Sequence, residues 1–174
     1  MRYCAFLRGV NVGGNNMKMA EVVKVFENAG MQNVAAVLAT GNLIFSSELN
    51  VENIKEILEK EMSKYYDYEA FMFLKNQNEI IRIFENCPFE KSDDQHIYIF
   101  VTTKETEKIL LEEFEKGKKS EGEKAIIVDG IFYWQINKGN TLDSDFGKIL
   151  GKKALKSEIT SRNLNTFEKI LKKK

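Results

Sequence analysis

The stretch Arg8-Gly9-Val10-Asn11-Val12-Gly13-Gly14-Asn15-Asn16-Met17-Lys18 concentrates groups that can grip an anion. Gly13-Gly14 permits positive φ and a close approach of backbone to a ligand. A helix starting after it would offer unpaired N–H groups and the positive end of its dipole. Arg8 and Lys18 flank the stretch with charge, and a guanidinium binds a carboxylate or phosphate through two parallel hydrogen bonds. The pattern is neither GxGxxG nor GxxxxGK[ST], so it is not a standard phosphate loop. It reads either as a small-anion site or as a tight strand–helix turn capped by Asn15 or Asn16.

A second group joins through topology. If the chain begins βαββαβ, the exit of its first strand and the turn after its second share one end of the sheet. Thr40, Gly41 and Asn42 would then face Gly13-Gly14 together with Arg8, Asn11 and Lys18. This set is rich in donors and poor in acids and bases, which suits binding better than proton transfer. Arg162 and Asn163 either anchor the last helix or reach a ligand.

Other reactive residue types carry less. His96 is the single histidine, so a multi-histidine metal site is excluded. Asp93 and Asp94 stand near it, but no serine or cysteine motif waits to be activated. Asp143-Ser144-Asp145 falls short of a calcium loop and suits a helix N-cap. No metal or cofactor is expected. Cys4 and Cys87 have no local partner and read as small buried hydrophobes in a reducing compartment. Tyr98, Phe100, Phe132, Tyr133 and Trp134 are strand aromatics that could stack on bases. Asn42-Leu43-Ile44-Phe45 lacks the aromatic–basic pattern of RNA-recognition strands.

The elements that must position these groups follow from periodicity. Arg2 to Leu7 alternates as a strand, with Tyr3, Ala5 and Leu7 on one side. Met19, Val22, Val23 and Phe26 make a helical face stopped by Gly30. Val34 to Ala39 and Asn42 to Phe45 predict strands joined by a tight hairpin at Thr40-Gly41. Asn50 caps a helix bearing Ile54, Ile57, Leu58 and Met62, and Tyr68 to Leu74 is a strand. A short helix with Ile80, Ile81 and Phe84 ends at Cys87-Pro88. The order then recurs. Ile97 to Thr102 is a strand, and Thr102 and Glu105 are spaced as a capping box for the helix of Ile109, Leu110 and Phe114. Strands Lys124 to Val128 and Ile131 to Ile136 flank a hairpin turn at Asp129-Gly130. A helix carries Phe146, Ile149 and Leu150, Ser157 to Thr160 is a closing strand, and a last helix carries Phe167, Ile170 and Leu171. The expected fold is α+β, with two tandem ferredoxin-like (βαββαβ, α-β plait) modules at 1–75 and 76–174, the second extended by a C-terminal helix.

Composition sets the outer bounds. The 174 residues hold 26 basic and 26 acidic side chains, for a formal net charge of zero. That gives no whole-chain grip on nucleic acid or an anionic membrane. By segment, residues 1–75 carry −1, 76–116 carry −5 and 117–174 carry +6. No apolar run approaches the ~18 residues of a membrane helix. No signal-peptide pattern opens the chain. A cytoplasmic protein with no membrane partner is expected.

The run Leu7 to Gly14, then Lys18-Met19, then Thr40-Gly41-Asn42-Leu43-Ile44-Phe45, resembles the signature of the bacterial domain-of-unknown-function family numbered 1697. Asn86-Cys87-Pro88-Phe89 sits where that family often has Asn-Pro-Phe. Thr160-Ser161-Arg162-Asn163-Leu164-Asn165-Thr166 is similar to its Thr-x-Arg-Asn-x-Asn-Thr stretch. The resemblance implies tandem ferredoxin-like modules and no established activity, substrate or cofactor. Ala39-Thr40 replaces the usual Gln-Ser, Leu164 replaces a Trp, and Cys87 is an extra residue before Pro88. The expected function is binding of a small anionic ligand at the Gly13-Gly14 loop. A single-stranded nucleic-acid binder, or an enzyme using the same loop, are the alternatives.

Overall fold

In the computed structural model, which describes residues 1–9, 17–155 and 157–173, the alternation of the first strand is realised directly. Strand β1 spans Arg2–Leu7. Its Tyr3, Ala5 and Leu7 pack with Leu43, Phe45, Met72 and Leu74 against Val22 and Phe26 of α1 and Ile54, Leu58 and Met62 of α2. Around it lie α1 (Met19–Asn28), β2 (Gln32–Ala36), β3 (Asn42–Ser46), α2 (Val51–Tyr66) and β4 (Met72–Asn76). The four strands form one antiparallel sheet in the order β2-β3-β1-β4. The Asn50 side chain accepts from Asn53 N at 2.8 Å and starts α2, as its cap position predicts.

Next come α3 (Gln77–Glu85), β5 (Gln95–Thr102), α4 (Thr106–Lys116), β6 (Lys124–Val128), β7 (Ile131–Asn137), α5 (Asp145–Leu150), a single 3-10 turn at Lys153–Leu155, β8 (Ile159–Asn163) and α6 (Leu164–Lys172). The second antiparallel sheet runs β6-β7-β5-β8. Its core joins Phe100, Phe132 and Trp134 to Leu110 and Phe114 of α4 and Phe146 of α5. Asp129 and Gly130 turn β6 into β7 with φ of 49° and 75°, the two positive values that a tight primed hairpin requires. The chain is thus α+β, with two four-stranded antiparallel sheets and six α-helices among the described residues.

Two compact units divide it: Met1–Ile81 with Glu168–Lys174, and Arg82–Phe167. The sequence boundary at 75/76 left the whole C-terminal helix with the second module. Instead, the end of α6 belongs to the first unit. There Ile170 and Leu171 line a small cleft with Ile80, Tyr3 and Ile44, and the Arg2 guanidinium donates to the Lys173 carbonyl. This gives the first sheet apolar cover on its second side, where Cys4, Phe6 and Ile44 are also buried.

Three local expectations are corrected. Strand β2 stops at Ala36, so residues 37–41 form a longer connection than a two-residue hairpin, with Leu38 at φ 61° and Gly41 at φ 75°. Strand β4 begins at Met72, not Tyr68, because α2 side chains take the preceding amides: Ala70 N donates to Ser63 Oγ at 3.0 Å and Met72 N to Glu59 Oε1 at 3.1 Å. The Thr102–Glu105 capping box does not form. Glu105 precedes α4 in the left-handed region at φ 70° without a side-chain cap, and Thr103 pairs with Thr106 at 2.8 Å instead.

Candidate functional site

At the exit of β1 three segments are tied together. Leu7 N donates to the Gly41 carbonyl at 2.7 Å, and Arg8 N donates to the Phe71 carbonyl at 3.0 Å. The 37–41 connection and the segment before β4 therefore flank the strand end. Arg8 is half-buried, and loss of water lowers its pKa from the ordinary value; an arginine stays charged regardless. Gly9 follows at φ 74°, and a Cβ there would lie 3.7 Å from Tyr68 Cε2. The Tyr68 ring thus stands against the backbone where the strand leaves the sheet.

Thr40, Gly41 and Asn42 are at this end, as topology predicted. Asn42 is fully buried, and its amide donates to the Val37 carbonyl at 3.0 Å and to Thr40 Oγ1 at 2.9 Å. Its backbone carbonyl accepts from Val37 N at 2.8 Å. These bonds shape the connection and leave Gly41 to hold β1. Lys18 is exposed at the head of α1 and makes no side-chain cap. Asn11, Gly13 and Gly14 lie outside the described residues.

Sequence reasoning missed Tyr66 and Tyr68. Both hydroxyls are buried, and neither has a hydrogen-bond partner among the described residues. Buried polar atoms are nearly always paired, so two orphans in one place need an explanation. Burial first, and then the nearby Glu21 carboxylate, push the Tyr66 phenol up to about 12. Burial and then Glu59 raise Tyr68. Both therefore remain protonated donors at neutral pH. The only sequence signal was the run Tyr65-Tyr66-Asp67-Tyr68 at a helix end. Asp67, at φ 50°, turns the chain there.

Arg162 and Asn163 are in the second unit. Arg162 donates to Thr160 Oγ1 at 2.7 Å and to the Ser161 carbonyl at 2.8 Å. Asn163 Oδ1 accepts from Asn165 N at 2.9 Å and caps α6. Its Nδ2 meets His96 Nδ1 at 3.1 Å. The cap fixes which end of the amide carries nitrogen, so His96 Nδ1 is the acceptor and the imidazole proton sits on Nε2. Near this pair a cleft of about 370 Å³ opens, lined by Lys91, Asp93, Gln95, Lys138, Asn163 and Asn165.

The remaining candidates have structural duties. Ser144 caps α5 through Gly147 N at 3.0 Å, and Asp145 accepts from Lys118 N at 3.0 Å. No group of three metal-ligating residues occurs among the described residues. The buried Glu123 carboxylate accepts from Trp134 Nε1 at 3.0 Å and Ser120 N at 2.7 Å. Burial raises the Cys87 thiol, which outweighs the backbone contact at Phe89. Phe100, Phe132, Tyr133 and Trp134 are buried, which leaves those rings no open face for a base. None of the described helices is long and apolar enough to cross a membrane.

Residues 1–133 match a family described as protein of unknown function, DUF1697, and the chain belongs to that family. A solved structure of a conserved bacterial protein from Streptococcus pneumoniae shares the fold, with a TM-score of 0.78 at 23% identity. That likeness covers 99% of this chain and 98% of the other. No curated protein matches the chain.

Proposed function

We propose that this is a cytosolic binding protein of two ferredoxin-like modules, whose first module takes a small, singly charged oxyanion where β1 leaves its sheet. The ferredoxin-like reading rests on the β-α-β-β-α-β order in each half and on the shared strand order. The binding reading rests on one observation above the others: the buried hydroxyls of Tyr66 and Tyr68, without partners among the described residues, at the end where the Tyr68 ring meets Gly9. Protonated phenols offer O–H donors to acceptor oxygens. Arg8 and Lys18 supply positive charge to the same end. Glu21 and Glu59 oppose it, which weighs against a polyphosphate. Asn11, Gly13 and Gly14 join as further donors on the sequence pattern alone. Phenols held this far above neutral pH do not act as general bases, so the reading is binding rather than turnover.

The test is a titration with inorganic phosphate and, separately, acetate, followed by amide NMR. Shifts at Gly9 and Gly41 are expected, lost in Arg8→Ala and weakened in Tyr68→Phe. Equal affinity in both variants, or no shift with either anion, overturns the reading.

A further inference from the structure

We infer that the second unit carries a separate cleft for a neutral polyol of the monosaccharide class, a small ring bearing neighbouring hydroxyl groups. The cleft of about 370 Å³ lies at one end of the second sheet. That volume falls near the lower bound of ordinary ligand pockets and suits a small molecule. Three segments build it. Asp93 precedes β5, which contributes Gln95 and Ile97. Lys138 follows β7. Asn163, Leu164 and Asn165 join β8 to α6.

The groups that the fold holds in place here are uncharged. Gln95 Nε2 donates to Asn137 Oδ1 at 2.9 Å and to the Gly122 carbonyl at 3.4 Å. The backbone carbonyl fixes which end of that amide is nitrogen, so Oε1 is left as an acceptor. Asn163 is held at both ends of its amide, by Asn165 N and by His96, and its second N–H is left as a donor. Lys138 N donates to the Asp94 carbonyl at 2.9 Å, which ties the segment after β7 to the one before β5. These groups are ordered by folding and not by binding. Ile97 and Leu164 also line the cleft and are buried, at 3% and 6% exposure, so its deep end is aliphatic.

Such a lining selects an uncharged ligand with two kinds of surface. A hydroxyl both donates and accepts, so neighbouring hydroxyls answer the Gln95 acceptor and the Asn163 donor together. The C–H edges of a sugar ring cover Ile97 and Leu164, which a bare ion cannot do. At the rim, Asp93 and Lys138 are exposed, with no ion pair among the described residues. An anion would face Asp93 and a cation would face Lys138, whereas a hydroxyl donates to the carboxylate and accepts from the ammonium. The Asn165 carboxamide is exposed and has no partner among the described residues. Lys91 borders the opening but already has an interaction partner, so it supplies wall alone. No aromatic side chain of the described residues lines the cleft, which leaves a nucleobase no face to stack on. A ligand without charge has no ion–ion attraction for salt to screen, so binding is weak and independent of salt.

The experiment is an NMR titration of the full chain with D-glucose, D-galactose, D-mannose and D-ribose in turn, against cyclohexanol and L-alanine. At least one sugar shifts the Gln95, Lys138 and Asn165 amides and binds at least about tenfold more tightly than cyclohexanol, which has the ring but a single hydroxyl. Its affinity is unchanged between about 0.1 M and about 1 M salt. Asp93→Ala and Asn165→Ala, both at exposed positions, each weaken it about threefold to tenfold, the loss of one hydrogen bond. The Gly9 and Gly41 amides of the first unit do not move. If no sugar causes a shift, if cyclohexanol or L-alanine binds as tightly as the best sugar, or if both variants bind as the parent does, the cleft is not a sugar site.

Discussion

Replacing Tyr68 with phenylalanine should make the protein more stable. The ring packs against the first core and stands 3.7 Å from a Cβ built on Gly9, and phenylalanine keeps both contacts. Only the buried hydroxyl is lost, and it has no partner among the described residues. A buried polar group left unpaired costs about 1–3 kcal/mol. Relief of the lower end of that range gives Tyr68→Phe a gain of about 1 kcal/mol, or roughly 2–4 °C in melting temperature for a chain of this size. The assay is urea unfolding, in which the midpoint rises while the slope stays constant. Tyr133→Phe is the opposing control. Its buried hydroxyl donates to the Ile83 carbonyl at 2.7 Å, so its removal should destabilise by about 1–3 kcal/mol. If Tyr68→Phe destabilises as Tyr133→Phe does, the Tyr68 hydroxyl is paired in the free protein. The argument for a ligand acceptor beside it then falls.

Gly147→Ala should destabilise by about 3 kcal/mol or more, because a Cβ there would lie 1.7 Å from the Thr141 carbonyl oxygen; thermal melts check this, and near-ultraviolet dichroism of Trp134 reports the disturbed neighbour Phe146. Tyr66 ionises at about 12 in the fold, against about 10 for a free phenol. Folding free energy should therefore hold below about pH 10 and fall as pH climbs toward 12, a decline that Tyr66→Phe reduces in urea titrations at several pH values. Asn163→Ala removes the cap on α6 and should cost about 1 kcal/mol. It should also move the His96 ring resonances, and unchanged resonances would contradict the Asn163–His96 bond.

Elements written by local chemistry were legible in the sequence. The alternation of β1, the Asn50 cap and the Asp129-Gly130 turn each depend on neighbours a few residues away. Where distant groups compete, the sequence misled. Residues 68–71 alternate like a strand, yet Ser63 and Glu59 of α2 take the amides of Ala70 and Met72. Thr102 and Glu105 have capping-box spacing, yet the Thr103 hydroxyl donates to Glu158, which lies far along the chain. The candidate site was half legible for the same reason. Topology alone brought Gly41 to the exit of β1. No spacing rule marks Tyr66 and Tyr68, because an orphan hydroxyl is defined by what the rest of the fold fails to supply.

Folding also changes what the charge distribution means. Cut by sequence, the chain is polarised, with −5 over residues 76–116 and +6 over 117–174. Divided into its compact units, it is not. Met1–Ile81 with Glu168–Lys174 holds 12 basic and 11 acidic residues, and Arg82–Phe167 holds 14 and 15. The terminal lysines that made the last segment basic belong to the first unit, and the acidic residues of α4 share a unit with the lysines that follow them. Each unit is within one charge of neutral. Neither has the net positive field that draws a polyanion from a distance. The anion binding proposed for the first unit would then draw on charge placed locally, Arg8 at the end of β1, and not on a net field.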